Sequence, residues 1–104
     1  MCGRYVSATP PDQIAAYFEA AAPEALLEPS YNVAPTKDVY AVLSDGSTRV
    51  VDAFHWGLIP FWAKERAIGN KLINARADGL AAKPSFRDSF KKRRCLVPAT
   101  GWFE

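Results

Sequence analysis

One histidine, His55, and two cysteines, Cys2 and Cys95, are all that the 104 residues offer as imidazole or thiol ligands. With no Cys-x-x-Cys pair and no second histidine, a metal site assembled within the chain is not expected, and nothing in the sequence calls for a cofactor. Long apolar runs are also missing. No stretch approaches the roughly 20 residues needed to cross a bilayer. The N-terminus lacks the basic start and apolar run of a secretory signal. A soluble, cytoplasmic protein with no membrane partner is expected, and a reducing compartment favours two free thiols over a disulfide. Internal repeats and low-complexity segments are absent.

What is present is a well-stocked core. Hydrophobic residues make up 49% of the chain and aromatic residues 12%, enough for one packed domain. The formal net charge of +2 conceals an uneven division. Residues 1–52 hold three basic and seven acidic residues, whereas residues 53–104 hold ten basic and four acidic. A basic half with tryptophan and phenylalanine interleaved is compatible with a polyanionic partner such as nucleic acid, although lysine and arginine also solvate ordinary surfaces.

The stretch TPPDQIAAYFEAAAP predicts a helix. Thr9 is placed to cap it, Pro10 suits its first turn, Asp12 completes a T-x-x-D box, and Ile14, Tyr17 and Phe18 share one face before Pro23. KDVYAVLSDGSTRVVDAFHW predicts a hairpin, with Val39 to Leu43 and Thr48 to Trp56 flanking a Ser44-Asp45-Gly46-Ser47 turn. In WGLIPFWAKE, Gly57 and Pro60 punctuate large apolar side chains, the pattern of a loop that presents part of its aromatic content. KPSFRDSFKKRR predicts a second helix with Phe86 and Phe90 on one face. Its Lys91 to Arg94 cluster reads as a solvated helix end. CLVPATGWFE predicts a short buried strand, a Pro/Gly turn and the start of another strand, at which the sequence stops on Glu104.

The opening MCGRY places a cysteine directly behind the initiator. Methionine aminopeptidases act when the second residue is small, and removal of Met1 would make Cys2 a 1,2-aminothiol. Such a group condenses with an aldehyde to an imine, after which the thiol adds and a five-membered thiazolidine closes. The α-amine has a reference pKa of about 7.7–8.0 and the thiol about 8.5, so roughly a tenth of the amine is neutral at pH 7. By position alone, a small side chain filling a small space is the better reading of Cys2.

MCGRY, YNVAPT (Tyr31 to Thr36), WGLIPFWAK (Trp56 to Lys64), NARAD (Asn74 to Asp78) and RRCLVPATGWFE (Arg93 to Glu104) resemble, in this order, the motif blocks of the SOS-response-associated peptidase (SRAP) family. The resemblance implies an α+β fold with a mixed, largely antiparallel, barrel-like sheet and flanking short helices. It further implies a sensor and shield of abasic sites in single-stranded DNA, whose ring-opened sugar is an aldehyde. On that resemblance Cys2 forms a covalent thiazolidine crosslink, Asn74 orients the sugar oxygen and the amine, and Glu104 moves protons. Arg4 and Arg76 match basic positions near the DNA groove, and Asn32, Pro35 and Thr36 line the same pocket. Trp56, Pro60 and Trp62 belong to a loop that wedges against or stacks on bases.

SRAP domains are about twice this length and carry an active-site histidine in a late motif that His55 does not match. Residues 1–104 are therefore expected to be the N-terminal half of one such domain, exposing apolar faces and strand edges that favour dimerisation. A nucleoid-associated location follows from the same reading. Two other readings remain at this point: a non-covalent single-stranded DNA-binding module, and a thiol peptidase or autopeptidase.

Overall fold

The computed structural model describes residues 3–103, so Cys2 and Glu104 lie outside the described residues. In chain order the elements are β1 (Tyr5–Ser7), α1 (Pro11–Tyr17), β2 (Ser30–Val33), β3 (Asp38–Ser44) and β4 (Arg49–His55). Two 3₁₀ segments (Arg66–Lys71 and Ala77–Gly79), α2 (Arg87–Lys92) and β5 (Gly101–Trp102) follow. The expected α+β class, with antiparallel sheets and short helices, is what forms. The strands make two sheets, β2-β1-β5 and β3-β4, and an isolated bridge from Val42 to Leu96 ties the chain ahead of β5 to the hairpin.

The hairpin is the centre of the structure because β3 is apolar on both faces. Val39 and Ala41 point one way and Tyr40 and Val42 the other, and all four are buried. On one side Tyr40, Val42 and the fully buried Val51 pack with Ile14 and Ala15 of α1. On the other, Val39 packs with Tyr5 and Val33 of the three-stranded sheet and with Trp56. The hairpin thus separates two small cores, and burying each aliphatic side chain contributes about 1.5–3 kcal/mol.

The turn is held by one carboxylate. Asp45 Oδ1 accepts from the backbone N–H of Ser47 at 2.9 Å and of Thr48 at 2.8 Å, with both hydroxyls adding weaker contacts. Backbone donors, those of Thr48 and then Ser47 foremost, hold its pKa down to about 2. A carboxylate depressed in the folded state stabilises above its unfolded pKa, and that contribution disappears as pH falls through the folded value. Asp45→Asn is therefore expected to lower the urea midpoint at pH 7, with the gap from the parent closing between about pH 4 and pH 2. A gap that stays constant across that range would contradict the assignment.

Helix α1 is shorter than its sequence predicts and is not capped by Thr9. It starts at Pro11 with Pro10 at the cap position and no side-chain cap. The Thr9 hydroxyl instead meets that of Thr100 at 3.0 Å, and Thr100 Oγ1 also accepts from the N–H of Ala8. At the far end Glu19 takes a positive φ of 52°, and Ala21 then joins the edge of β4, its N–H donating to Arg49 O and its carbonyl accepting from Val51 N. Sheet bonding outcompetes further helix. With only seven residues, α1 buries Ile14 while Tyr17 is 82% exposed, so Tyr17 does not share the apolar face. The short buried strand expected at the start of CLVPATGWFE is a single bridge, and Leu96 and Val97 are exposed rather than buried. A bridge on one side leaves their other side uncovered.

Candidate functional site

An open groove of about 650 Å³ runs between the two sheets. Tyr5 and Trp102 line it from the three-stranded sheet, Val39, Ala41 and Phe54 from the hairpin, and Asn74, His55 and Cys95 bring polar or nucleophilic atoms to an otherwise apolar wall. Strand pairing sets one end of this groove. Tyr5 opposes Trp102 and Val6 opposes Gly101 in an antiparallel ladder, so the chain entering β1 and the chain leaving β5 run to the same end of the sheet. Arg4 stands at that entry, its Nη1 donating to Asn32 Oδ1 on β2 at 3.3 Å.

Asn74 owes its place to backbone packing several residues away. Gly57 has φ 128°, and a Cβ there would lie 2.6 Å from the carbonyl oxygen of Gly69. Gly57 is therefore required for the loop after β4 to lie flat on the 3₁₀ segment, and a Cβ on Gly69 would crowd Ile59 Cγ1 at 3.0 Å and the Gly57 carbonyl at 3.1 Å. Leu58 N–H then donates to Leu72 O at 3.0 Å, and the Trp56 indole N–H donates to Ile73 O at 3.0 Å. The two bonds fix the residues immediately before Asn74. Gly57→Ala is expected to cost about 2 kcal/mol or more, from the disfavoured φ together with the backbone clash. A thermal melt checks this, and a Tm within about 2 °C of the parent would contradict it.

Trp56 is half-buried and packs edge-on to Tyr5 with ring centroids 5.7 Å apart. With its N–H on Ile73 O, it is a strut between β1 and the Asn74 segment, a role that its sequence context did not reveal. Pro60 is buried, whereas Trp62 of the same loop is 48% exposed. Pro35 is half-buried and Asn32 and Thr36 are exposed. Thr36 adopts φ 76°, a conformation that a β-branched residue avoids, and its N–H donates to Trp56 O at 2.9 Å. Strain of about 1–3 kcal/mol is thus held where β3 begins.

Arg76 is exposed, with its Nε 3.5 Å from Asp78 Oδ1. Both side chains are largely in water, so the pair contributes little to stability and leaves the guanidinium accessible. Cys95 is a free thiol. Its residue surface is exposed, yet apolar surroundings at the sulfur raise its pKa above the ordinary value and disfavour the thiolate. The groove therefore brings Asn74, Tyr5, Trp102, Trp56 and Cys95 together, with Arg4 at one end; Arg76 and Trp62 are on neighbouring surface outside its lining. Sequence reasoning passed over Gly69 and Thr100, whose roles are contacts with residues far away in the chain.

Comparison with known proteins follows the same lines. The model of the SOS response associated peptidase (SRAP) family matches residues 1–104. The abasic site processing protein YoqW of Bacillus subtilis is 43% identical over 106 residues, an alignment that covers 100% of this chain and 47% of the relative. The abasic site processing protein HMCES of Xenopus tropicalis is 37% identical over 89 residues, covering 74% of this chain and 27% of its own. A crystal structure of a protein from Bacteroides thetaiotaomicron superposes with a TM-score of 0.80 at 30% identity, over 99% of this chain and 48% of that one. The chain spans about half the length of the Bacillus relatives it matches.

Proposed function

Because this chain belongs to the SOS response associated peptidase family, we propose that it recognises abasic sites in single-stranded DNA and captures them covalently through Cys2 once Met1 is removed. Residues 1–104 then form the N-terminal half of one SRAP domain, in a cytoplasmic, nucleoid-associated protein. The observation that carries the reading is the β1–β5 ladder beside the Asn74 groove. Tyr5 opposes Trp102 there, so residues 3–4 and residue 103 run to one end of the sheet, while Cys2 and Glu104 lie outside the described residues.

The chemistry balances without an oxidant or reductant. The neutral α-amine of Cys2 adds to the sugar aldehyde, the carbinolamine loses its hydroxyl as water, and the thiol sulfur adds to the imine carbon while its proton passes to nitrogen. One water leaves in all. Glu104 would supply the proton that makes the hydroxyl a leaving group, and Asn74, able both to donate and to accept, would hold the sugar oxygen. Arg4 and Arg76 would engage phosphates, Asn32, Pro35 and Thr36 would border the lesion pocket, and Trp62, exposed on a loop whose Pro60 is buried and whose Trp56 is bonded to Ile73, would meet a neighbouring base. Removal of Met1 is the only peptide cleavage this scheme requires. Exposed Leu96 and Phe103, outside the groove lining, are apolar surface through which two copies would pair.

The test uses the Met1-processed chain and a single-stranded oligonucleotide with one abasic site, with the same oligonucleotide borohydride-reduced to the alcohol as control. An adduct that survives denaturation is expected with the aldehyde and absent with the alcohol. No adduct with the aldehyde, or equal yields with both, would overturn the proposal.

A further inference from the structure

We propose that Thr100 is a positioning residue for adduct formation, holding β1 and β5 in the one register from which the amine of residue 2 and the carboxyl of residue 104 act on the same sugar; the inference rests on the function proposed above. The ladder between these strands is short, made by Tyr5 opposite Trp102 and Val6 opposite Gly101. Strand β5 lies at the edge of its sheet with β1 as its neighbour, and β1 is itself irregular, its pairing with β2 shifting register between Tyr5 and Ser7. A two-residue edge strand containing a glycine specifies its register weakly. A slip of one residue would displace the chain that follows by about 3.4 Å and turn Trp102 away from the groove.

Thr100 supplies what the ladder lacks. Its N–H donates to Val6 O at 2.8 Å, adding one backbone bond beyond the two pairs. Its Oγ1 accepts from the N–H of Ala8 at 3.0 Å and of Thr9 at 3.3 Å, and meets the Thr9 hydroxyl at 3.0 Å. The side chain before β5 thus grips the two residues that follow β1, and a slipped register would take its oxygen away from those donors. The three contacts are exposed, so water can replace the lost acceptor at modest cost and the fold does not hang on it. Alignment is more sensitive. Residues 3–4 and 103 leave this pairing at the same end of the sheet, and misplacing reacting groups by about 1 Å lowers a rate about a hundredfold.

Thr100→Val, which keeps the branched shape and loses the acceptor, and Thr100→Ser, which keeps the acceptor, decide the matter. Adduct formation by the Met1-processed chain is followed over a range of concentrations of the abasic oligonucleotide, giving a maximal rate and a half-saturating concentration. Thr100→Val is expected to lower the maximal rate about tenfold to a hundredfold while the half-saturating concentration stays within about twofold and the melt remains cooperative. Thr100→Ser should restore the rate to within about threefold of the parent. Raising acetate at fixed pH and ionic strength should speed Thr100→Val but not the parent, because a buffer acid then replaces a misaligned one. A parent-like rate in Thr100→Val, a loss confined to the half-saturating concentration, indifference to acetate, or failure of Thr100→Ser to recover overturns the positioning role and leaves the proposed function standing. A Thr100→Val chain without a cooperative melt overturns it as well, since Thr100 would then belong to the fold. A parent chain that forms no adduct overturns both.

Discussion

Trp56→Ala is expected to destabilise the chain by about 3 kcal/mol, the range for removing a large aromatic from a packed site. Two supports disappear together: the edge-on contact with Tyr5 and the hydrogen bond to Ile73 O. The loss reaches function because those contacts hold the segment that ends in Asn74. Trp56→Phe separates the two. It keeps the ring contact and loses the N–H, so the cost should fall to about 1–2 kcal/mol, chiefly the unpaired Ile73 carbonyl. Urea unfolding of both variants gives the comparison. Equal costs would assign the whole effect to the lost N–H bond rather than to packing, and no cost in either would remove Trp56 from the support of the site.

The second large effect is chemical. Cys2→Ala should abolish the adduct that survives denaturation without abolishing DNA binding, because the α-amine and the cationic surface are retained. Its amine can still form an imine, but with no thiol to close the ring that imine hydrolyses. A crosslink in Cys2→Ala should therefore appear only when borohydride is added to reduce the imine in place. Cys95→Ala should leave the yield near that of the parent. The Cys95 nitrogen is an amide, and its raised thiol pKa leaves little thiolate at neutral pH. A stable adduct that depends on Cys95 rather than Cys2 would reverse the assignment. Readout on a denaturing gel, with and without borohydride, distinguishes these cases.

How much of this was legible in the sequence depends on how local the determinants are. The β3–β4 hairpin was readable because β-branched and aromatic residues flank a Ser-Asp-Gly-Ser turn, and the observed register runs from Asp38 opposite His55 to Ser44 opposite Arg49. The end of α1 was not, since Ala21 is drawn to β4 by bonds to residues about thirty positions away. Thr9 has the sequence of a cap, but Thr100, over ninety residues on, claims its hydroxyl. The aromatic loop shows the same division. Gly57 and Pro60 marked it as a loop, yet which rings it presents depends on Gly69 and on the carbonyl of Ile73, neither of which leaves a local pattern. Asn74 lines the groove, but its neighbours there come from β1, β5 and the hairpin, brought together by the β1–β5 ladder and by the packing of Val39 on Tyr5.

The central claim is that the processed amino terminus itself bonds to the damaged sugar, and one intact-mass measurement tests it most directly. After incubation with an abasic oligonucleotide and denaturation, the adduct should weigh the Met1-less chain plus the oligonucleotide, less one water. Peptide mapping should then place the added mass on residue 2. An adduct that retains Met1, carries an acetylated residue 2, or maps to a lysine would contradict the claim.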